Sequence, residues 1–212
     1  MRESQSLSDE AYGRIRSMII SCELPPGSVI SEGDLMQSLQ MGRTPIREAL
    51  RNLANEKLIE VYPRRGMFVA GLDVKDLTAI SEVRGNLEIQ AAGLAAERAT
   101  DSDRAILAQL IKEIDSIKGE PKMSKLINLD QRIHHSIYAA THNEFLVSTL
   151  DQYYAHALRI WFMALERVSE LEDAIIEHRA MLQSILDGDR KAAERAMREH
   201  IEGFETTIRK SL

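Results

Sequence analysis

The chain has 212 residues and a formal net charge of −6, enough length for one or two domains. Its single cysteine, Cys22, rules out an internal disulfide framework, and the first twenty residues lack the apolar core of a secretory signal. The longest apolar stretch, around Leu158 to Leu165, is interrupted by Arg159 and is too short to span a bilayer, so the expectation is a cytoplasmic protein with no membrane contact. No internal repeat or low-complexity tract is evident, which argues against a solenoid or a disordered tail.

Along the chain, Leu7 to Ser21 has the pattern of a first helix, and Pro25-Pro26-Gly27 forces a turn. Ser31, with Asp34 three residues on, has the form of a capping box opening a short second helix to Leu39. A third helix follows in RTPIREALRNL. Its start is expected at Thr44 and Pro45, the Thr hydroxyl capping free N–H groups and Pro lacking one. Ile46, Leu50 and Leu53 recur at helical spacing toward a core, while Arg43, Arg47 and Arg51 repeat every four residues on a different face. Leu58 to Tyr62 and Met67 to Ala70 read as two strands joined through Pro63, Arg64, Arg65 and Gly66, a turn that is also basic. Three helices and a basic hairpin outline a winged helix-turn-helix. Arginine suits bidentate contact with guanine in the major groove, and a basic wing tip suits phosphates or a narrow minor groove. Arg43, Thr44, Arg47, Arg51, Arg64, Arg65 and Gly66 are therefore the expected DNA-contacting residues. The bland alternative is a solvated amphipathic helix; cap, arginine spacing and wing together weigh against it.

Charge distribution agrees. Residues 1–72 hold nine Lys/Arg and nine Asp/Glu, whereas residues 73–212 hold 18 and 24. Within 43–65 the count is six basic to three acidic, so the basic footprint is confined to the surface expected to meet phosphate. A change of pattern near Gly71-Leu72-Asp73 places the boundary between domains 1–72 and 73–212.

The second domain reads as six helices, at about 74–99, 101–118, 122–141, 143–167, 169–187 and 189–211. The breaks are marked by Thr100-Asp101, Gly119-Glu120-Pro121, His142-Asn143, Ser169 and Gly188-Asp189. No strand pattern appears, so the fold class is mainly α: a winged head followed by an all-α six-helix bundle.

Polar residues interrupt the apolar stripes of that bundle. One helix carries the inward series Ile127, Asp130, His134, Ile137, Thr141; another Leu171, Ile175, His178, Leu182, Ile185; a third Ala193, Met197, His200, Phe204, Ile208. One Asp and three His thus aim at the interior, where an unpartnered polar group costs several kcal/mol. A divalent metal, zinc or nickel foremost, is the economical shared partner. A lone inward histidine is more often a satisfied core residue than a ligand, but here helical phase aligns all four residues. His135, His142 and His156 fall off the stripes and are expected at the surface or at helix ends. The stripe Leu77, Ile80, Arg84, Leu87, Ala91, Leu94 carries Arg84 in its middle, and an inward guanidinium wants a carboxylate: Glu88 one turn on, a bound acid, or both.

These residues carry a family resemblance. ELPPGSVISEGDL, RTPIREALRNL and the wing ending RRGMFVA resemble the GntR family of bacterial transcription regulators. EVRGNLE at 82–88, DQRIHHSIYAATHN at 130–143, EHRAMLQSILDGD at 177–189 and AMREHI at 196–201 resemble its FCD branch. Six helices rather than seven resemble the shorter, VanR-like subgroup. The resemblance implies a homodimer formed through the C-terminal domains, a double-stranded DNA operator with inverted-repeat half-sites, and a small carboxylate bound in the bundle, often beside a metal. Asp130, His134, His178 and His200 fall on the family's metal positions and Arg84 on its effector-binding arginine. Two departures stand out: Ile133 where the family usually has Phe, and Gln40 and Gly42 in place of the usual Gly and Ser before the third helix. The expected function is a metabolite-responsive transcription regulator, a repressor first. The rivals are a metal-dependent helical-bundle enzyme, disfavoured by the lack of any His-Glu-x-x-His or Glu-x-x-His pair, and a regulator that senses the metal itself.

Overall fold

The computed structural model describes residues 6–72, 74–117, 123–164 and 171–211. They form two compact units, Met1–Asp73 with Ala155–Met163, and Val74–Tyr154 with Ala164–Leu212.

In the first unit, α1 (Leu7–Ile20) opens on a complete capping box: the Ser6 hydroxyl accepts from the Asp9 amide, and the Asp9 carboxylate accepts from the Ser6 amide. β1 (Val29–Ile30) leads into α2 (Glu32–Leu39), where Ser31 caps the Asp34 amide. Then come α3 (Arg43–Asn55) and the hairpin β2 (Ile59–Tyr62) and β3 (Gly66–Val69). Ala11, Ile15 and Ile19 of α1 and Ile46, Leu50 and Leu53 of α3 are all fully buried, and the two helices pack on each other. The sheet runs β1-β3-β2, both pairs antiparallel, with Val29 opposite Phe68 and Tyr62 opposite Gly66.

Three details depart from the sequence reading. β1 was not foreseen, because two residues after a Pro-Gly turn show no alternation to detect. The N-cap of α3 is Gly42, which has no side chain to cap with, so Thr44 is not the cap; Thr44 and Pro45 are the second and third helical residues. Proline is tolerated there because first-turn amides have no intrahelical partner to lose. His156 is neither at the surface nor at a helix end: it is half-buried within α7 (Glu144–Ala164) and its Nε2 lies 2.9 Å from the Glu56 carbonyl oxygen. Arg159 is fully buried in the same unit and donates to the Ala70 carbonyl.

The second unit is helical: α4 (Val74–Arg98), α5 (Asp101–Asp115), α6 (Met123–Ala139), the first half of α7, α8 (Leu171–Leu186) and α9 (Arg190–Ser211). Thr100 opens α5 with a second full capping box to Asp103. α4 packs along α9, α8 against α9 and α5, and α6 against α4, α5 and α8, so α4, α6, α8 and α9 face a common interior. The expected breaks at Gly119-Glu120-Pro121 and at Ser169 lie outside the described residues, as does the side chain of Leu171. His135 and His142 are exposed, beside Asp151 (3.4 Å) and Asp103 (2.9 Å). Among the described residues, no helix is long and apolar enough to cross a membrane.

Candidate DNA-reading surface and metal centre

α3 presents Arg43, Thr44, Arg47 and Arg51 to solvent while Ile46, Ala49, Leu50 and Leu53 face the core. Arg47 is held through Nε by both Glu32 oxygens, at 2.9 and 3.1 Å. That exposed pair contributes little stability, but it holds the side chain through Nε while the side chain stays largely exposed. The α2–α3 turn passes through Gln40 at φ 55, the left-handed region that favours glycine; the departure noted above therefore places a strained residue there. In the wing, Arg64 (φ 64), Arg65 and Gly66 (φ 101) are exposed. The Arg65 guanidinium lies over the rings of Tyr62 and Phe68, 5.6 and 5.9 Å from their centroids.

The bundle interior holds a second constellation. Asp130 and His134 sit one turn apart on α6, His178 comes from α8 and His200 from α9, and all four are buried. Each offers one ligand atom within 4.8 Å of the others. The Nε2 atoms of His134 and His178 are 3.2 Å apart, and Asp130 Oδ1 lies 3.4 Å from His178 Nε2 and 3.9 Å from His134 Nε2. Two imidazole nitrogens this close repel if both carry protons, and a shared cation removes the conflict. Burial drives the His134 and His178 pKa values well below the ordinary range. His200 falls to about 3 through burial and the Arg84 charge. The three rings are thus neutral, the state in which nitrogen binds metal. Burial pushes Asp130 up to about 7, against the hydrogen bond from Tyr154 and the Arg84 charge. A cation would reverse that cost. The donor set and the neutral rings therefore fit a divalent first-row ion.

Around the four lies a shell only partly foreseen. Arg84 Nε donates to Glu88 Oε1 at 2.6 Å, and both residues are buried. The guanidinium lies over Tyr154 and Phe204, at 5.3 and 5.7 Å. Burial alone would depress its pKa, but Glu88, Tyr138 and Tyr154 raise it above the ordinary value. Tyr138 donates to Glu88 Oε1, and its oxygen lies 3.3 Å from His134 Nδ1. This favours a proton on Nδ1 and leaves the His134 Nε2 lone pair for the cluster. Tyr154 donates to Asp130 Oδ2. The sequence flagged neither tyrosine, since a Tyr on an apolar stripe reads as core. Its hydroxyl gains meaning only once its partner is known.

A winged head followed by a helical bundle with a buried Asp/His cluster defines a class of bacterial DNA-binding regulators, and the sequence comparisons name it. The description "Bacterial regulatory proteins, gntR family" matches residues 7–69 and the FCD domain matches residues 79–203. The chain belongs to the GntR family, in the branch that carries an FCD domain, and is a DNA-binding transcription regulator rather than an enzyme. It is similar to the HTH-type transcriptional repressor RspR of Escherichia coli (strain K12), 24% identical over 209 residues, 99% of this chain and 92% of that protein. It is also similar to the Nta operon transcriptional regulator of Aminobacter aminovorans, 34% identical over 133 residues, 63% of each. The solved E. coli McbR/YncC structure shares the fold, with a TM-score of 0.86 at 22% identity, covering 97% of this chain and 98% of that one.

Proposed function

We propose that this regulator is a cytoplasmic homodimeric repressor of the VanR-like subgroup. Residues 1–72 read an inverted-repeat operator, and residues 73–212 dimerise and bind a small carboxylate that alters the grip on DNA. Arg43, Thr44, Arg47 and Arg51 enter or flank the major groove, and Arg64, Arg65 and Gly66 follow the backbone or minor groove. Asp130, His134, His178 and His200 hold one divalent ion, zinc or nickel. When bound, that ion supplies a Lewis-acidic anchor for an anion. Arg84 receives the acid's carboxylate. The naming of RspR as a repressor supports the sign of regulation.

The observation that carries the effector reading is a buried guanidinium on the wall of a buried metal-ligand cluster: its partner Glu88 bonds Nε at 2.6 Å and Nη2 only loosely, at 3.4 Å. An entering acid must bind one arrangement of the heads better than another, since equal affinity would shift nothing. The test is a panel of small carboxylates scored by thermal shift and by release of DNA selected from a random pool, with and without chelator. An acid that stabilises the protein and releases DNA only in the metal-loaded form is the expected result. Full response without metal would remove the ion from the reading.

One observation favours a second reading, in which the metal itself is the signal: Glu88 already gives Arg84 an internal partner. Metal alone would then change DNA binding, and no carboxylate would add to it.

A further inference from the structure

We infer that two tyrosines set how many protein oxygens a bound ion meets: Tyr154 restricts Asp130 to a single donor oxygen, and Tyr138, with Arg84, keeps Glu88 out of the donor set. This rests on reading Asp130, His134, His178 and His200 as a metal centre.

The two Asp130 oxygens are not equivalent. Oδ1 faces His178 Nε2 at 3.4 Å and His134 Nε2 at 3.9 Å, whereas Oδ2 accepts the Tyr154 hydroxyl. A carboxylate with both oxygens free can bind an ion through one or both; this one has its second oxygen engaged by a phenol that is itself buried. The same logic applies to Glu88, a fully buried carboxylate in the shell of the cluster. Its Oε1 accepts from Arg84 Nε and from Tyr138, and its Oε2 from Arg84 Nη2. Oε2 also lies 3.5 Å from His134 Nδ1, the ring nitrogen opposite the one turned to the cluster. Glu88 therefore braces the histidine from behind instead of ligating beside it. Protein donation stops at three nitrogens and one oxygen, and every further position on the ion belongs to water or to the effector. Tyr138 and Tyr154 are positioning residues: they act on the acid's binding place through Glu88 and Asp130.

The test compares full-length wild type with Tyr154→Phe, a substitution that removes one oxygen and keeps the ring. Crystals of the nickel(II)-loaded proteins should show Asp130 Oδ1 alone within bonding distance in wild type and both oxygens in the variant. The visible spectrum of the cobalt(II) form should change with the added donor. Tyr138→Phe should leave Asp130 as in wild type and let Glu88 shift its contacts. Both Asp130 oxygens on the ion in wild type would overturn the inference. So would a Tyr154→Phe protein with Oδ2 still off the ion and an unchanged cobalt spectrum, or one that takes up no metal, since freeing Oδ2 should add a donor. If wild type takes up no cobalt, or His178→Ala takes up as much, the metal reading itself fails instead.

Discussion

The buried pair Arg84 and Glu88 allows a sharp energetic prediction. Both side chains are almost wholly removed from solvent, at 6% and 0% exposure, with a 2.6 Å contact. Truncating one member of such a pair strands the other charge and costs about 3–5 kcal/mol, whereas replacing both with neutral groups of similar shape is often neutral. Among the described residues, Arg84→Ala leaves Glu88 with the Tyr138 hydroxyl and, at 3.5 Å, the neutral His134 Nδ1, neither of which balances its charge, so the loss should approach that full range. At about 2–4 °C per kcal/mol for a chain of this length, the expected fall in Tm is roughly 6–20 °C. Arg84→Met with Glu88→Gln removes both charges and keeps an acceptor for Tyr138. Its stability should return to within ~1.5 kcal/mol of wild type, and subtracting the costs of Arg84→Met and of Glu88→Gln alone isolates the pair's coupling. Urea unfolding of the wild type, Arg84→Ala, Arg84→Met, Glu88→Gln and the double variant, all metal-free, measures the truncation cost and closes the cycle. A cost below about 1 kcal/mol for Arg84→Ala, or no recovery in the double variant, would refute the argument. Because the double variant should be well folded, it is also the protein in which to look for the acid response: normal release of DNA by a carboxylate without Arg84 would return that arginine to a purely structural role.

Arg47→Ala should cost about 1–3 kcal/mol of operator affinity and relax base preference, while Arg64→Ala should weaken binding evenly across sequences; gel shifts at matched salt compare the two, and an unaffected Arg47→Ala would strike Arg47 from the reading surface. Light scattering after size exclusion should give a dimer at micromolar concentration, and a monomer would contradict the inverted-repeat operator. Purified protein should carry about one metal per chain, and His178→Ala should lose it along with part of the thermal stability. Acidification should act with a definite sign. The three histidines have folded pKa values below the ordinary 6.5, so their stabilising contribution is full above 6.5 and is lost as pH falls toward the His200 value of about 3. Asp130 opposes them: raised from 3.8 to about 7, it contributes fully below 3.8 and loses that contribution as pH rises through 7. With three groups against one, chelated protein should be less stable at pH 4.5 than at pH 6.5. Metal affinity, which needs Asp130 ionised, should fall below about pH 7; chelator competition that is flat from pH 6 to 8 would contradict this.

How far the sequence carried this reading depended on whether a signal was local. The core face of α3 and the inward phase of Asp130, His134, His178 and His200 follow from a period of 3.6, which is a property of each helix alone. That is why Ile46, Leu50 and Leu53, and all four cluster residues, are buried as the pattern predicts. What periodicity could not supply is the identity of a partner across space. β1 is defined by its pairing with Met67 and Phe68 rather than by any pattern of its own. Gly42 caps α3 because of its backbone angles, in a place where Thr44 looked chemically better suited. Glu32 touches Arg47 from another helix, fifteen residues away in sequence.

The same distinction separates the two halves of the buried site. Phase put Arg84 and Glu88 one turn apart on α4, so their pairing was legible, and so was the alternative of a bound acid. Tyr138 and Tyr154 come from α6 and α7, and each was indistinguishable from a core aromatic until its hydroxyl was seen on a carboxylate. Those two hydroxyls change what the site is. Without the Tyr154 hydroxyl, Asp130 would have an oxygen to spare beside three neutral imidazoles, and without the Tyr138 hydroxyl Glu88 would be held by Arg84 alone. With them, Glu88 is held by Arg84 and Tyr138 together and one Asp130 oxygen is engaged by Tyr154. On the proposed metal reading, three imidazole nitrogens and one Asp130 oxygen would hold a cation without saturating it, the condition a centre must meet if an acid is to reach its metal.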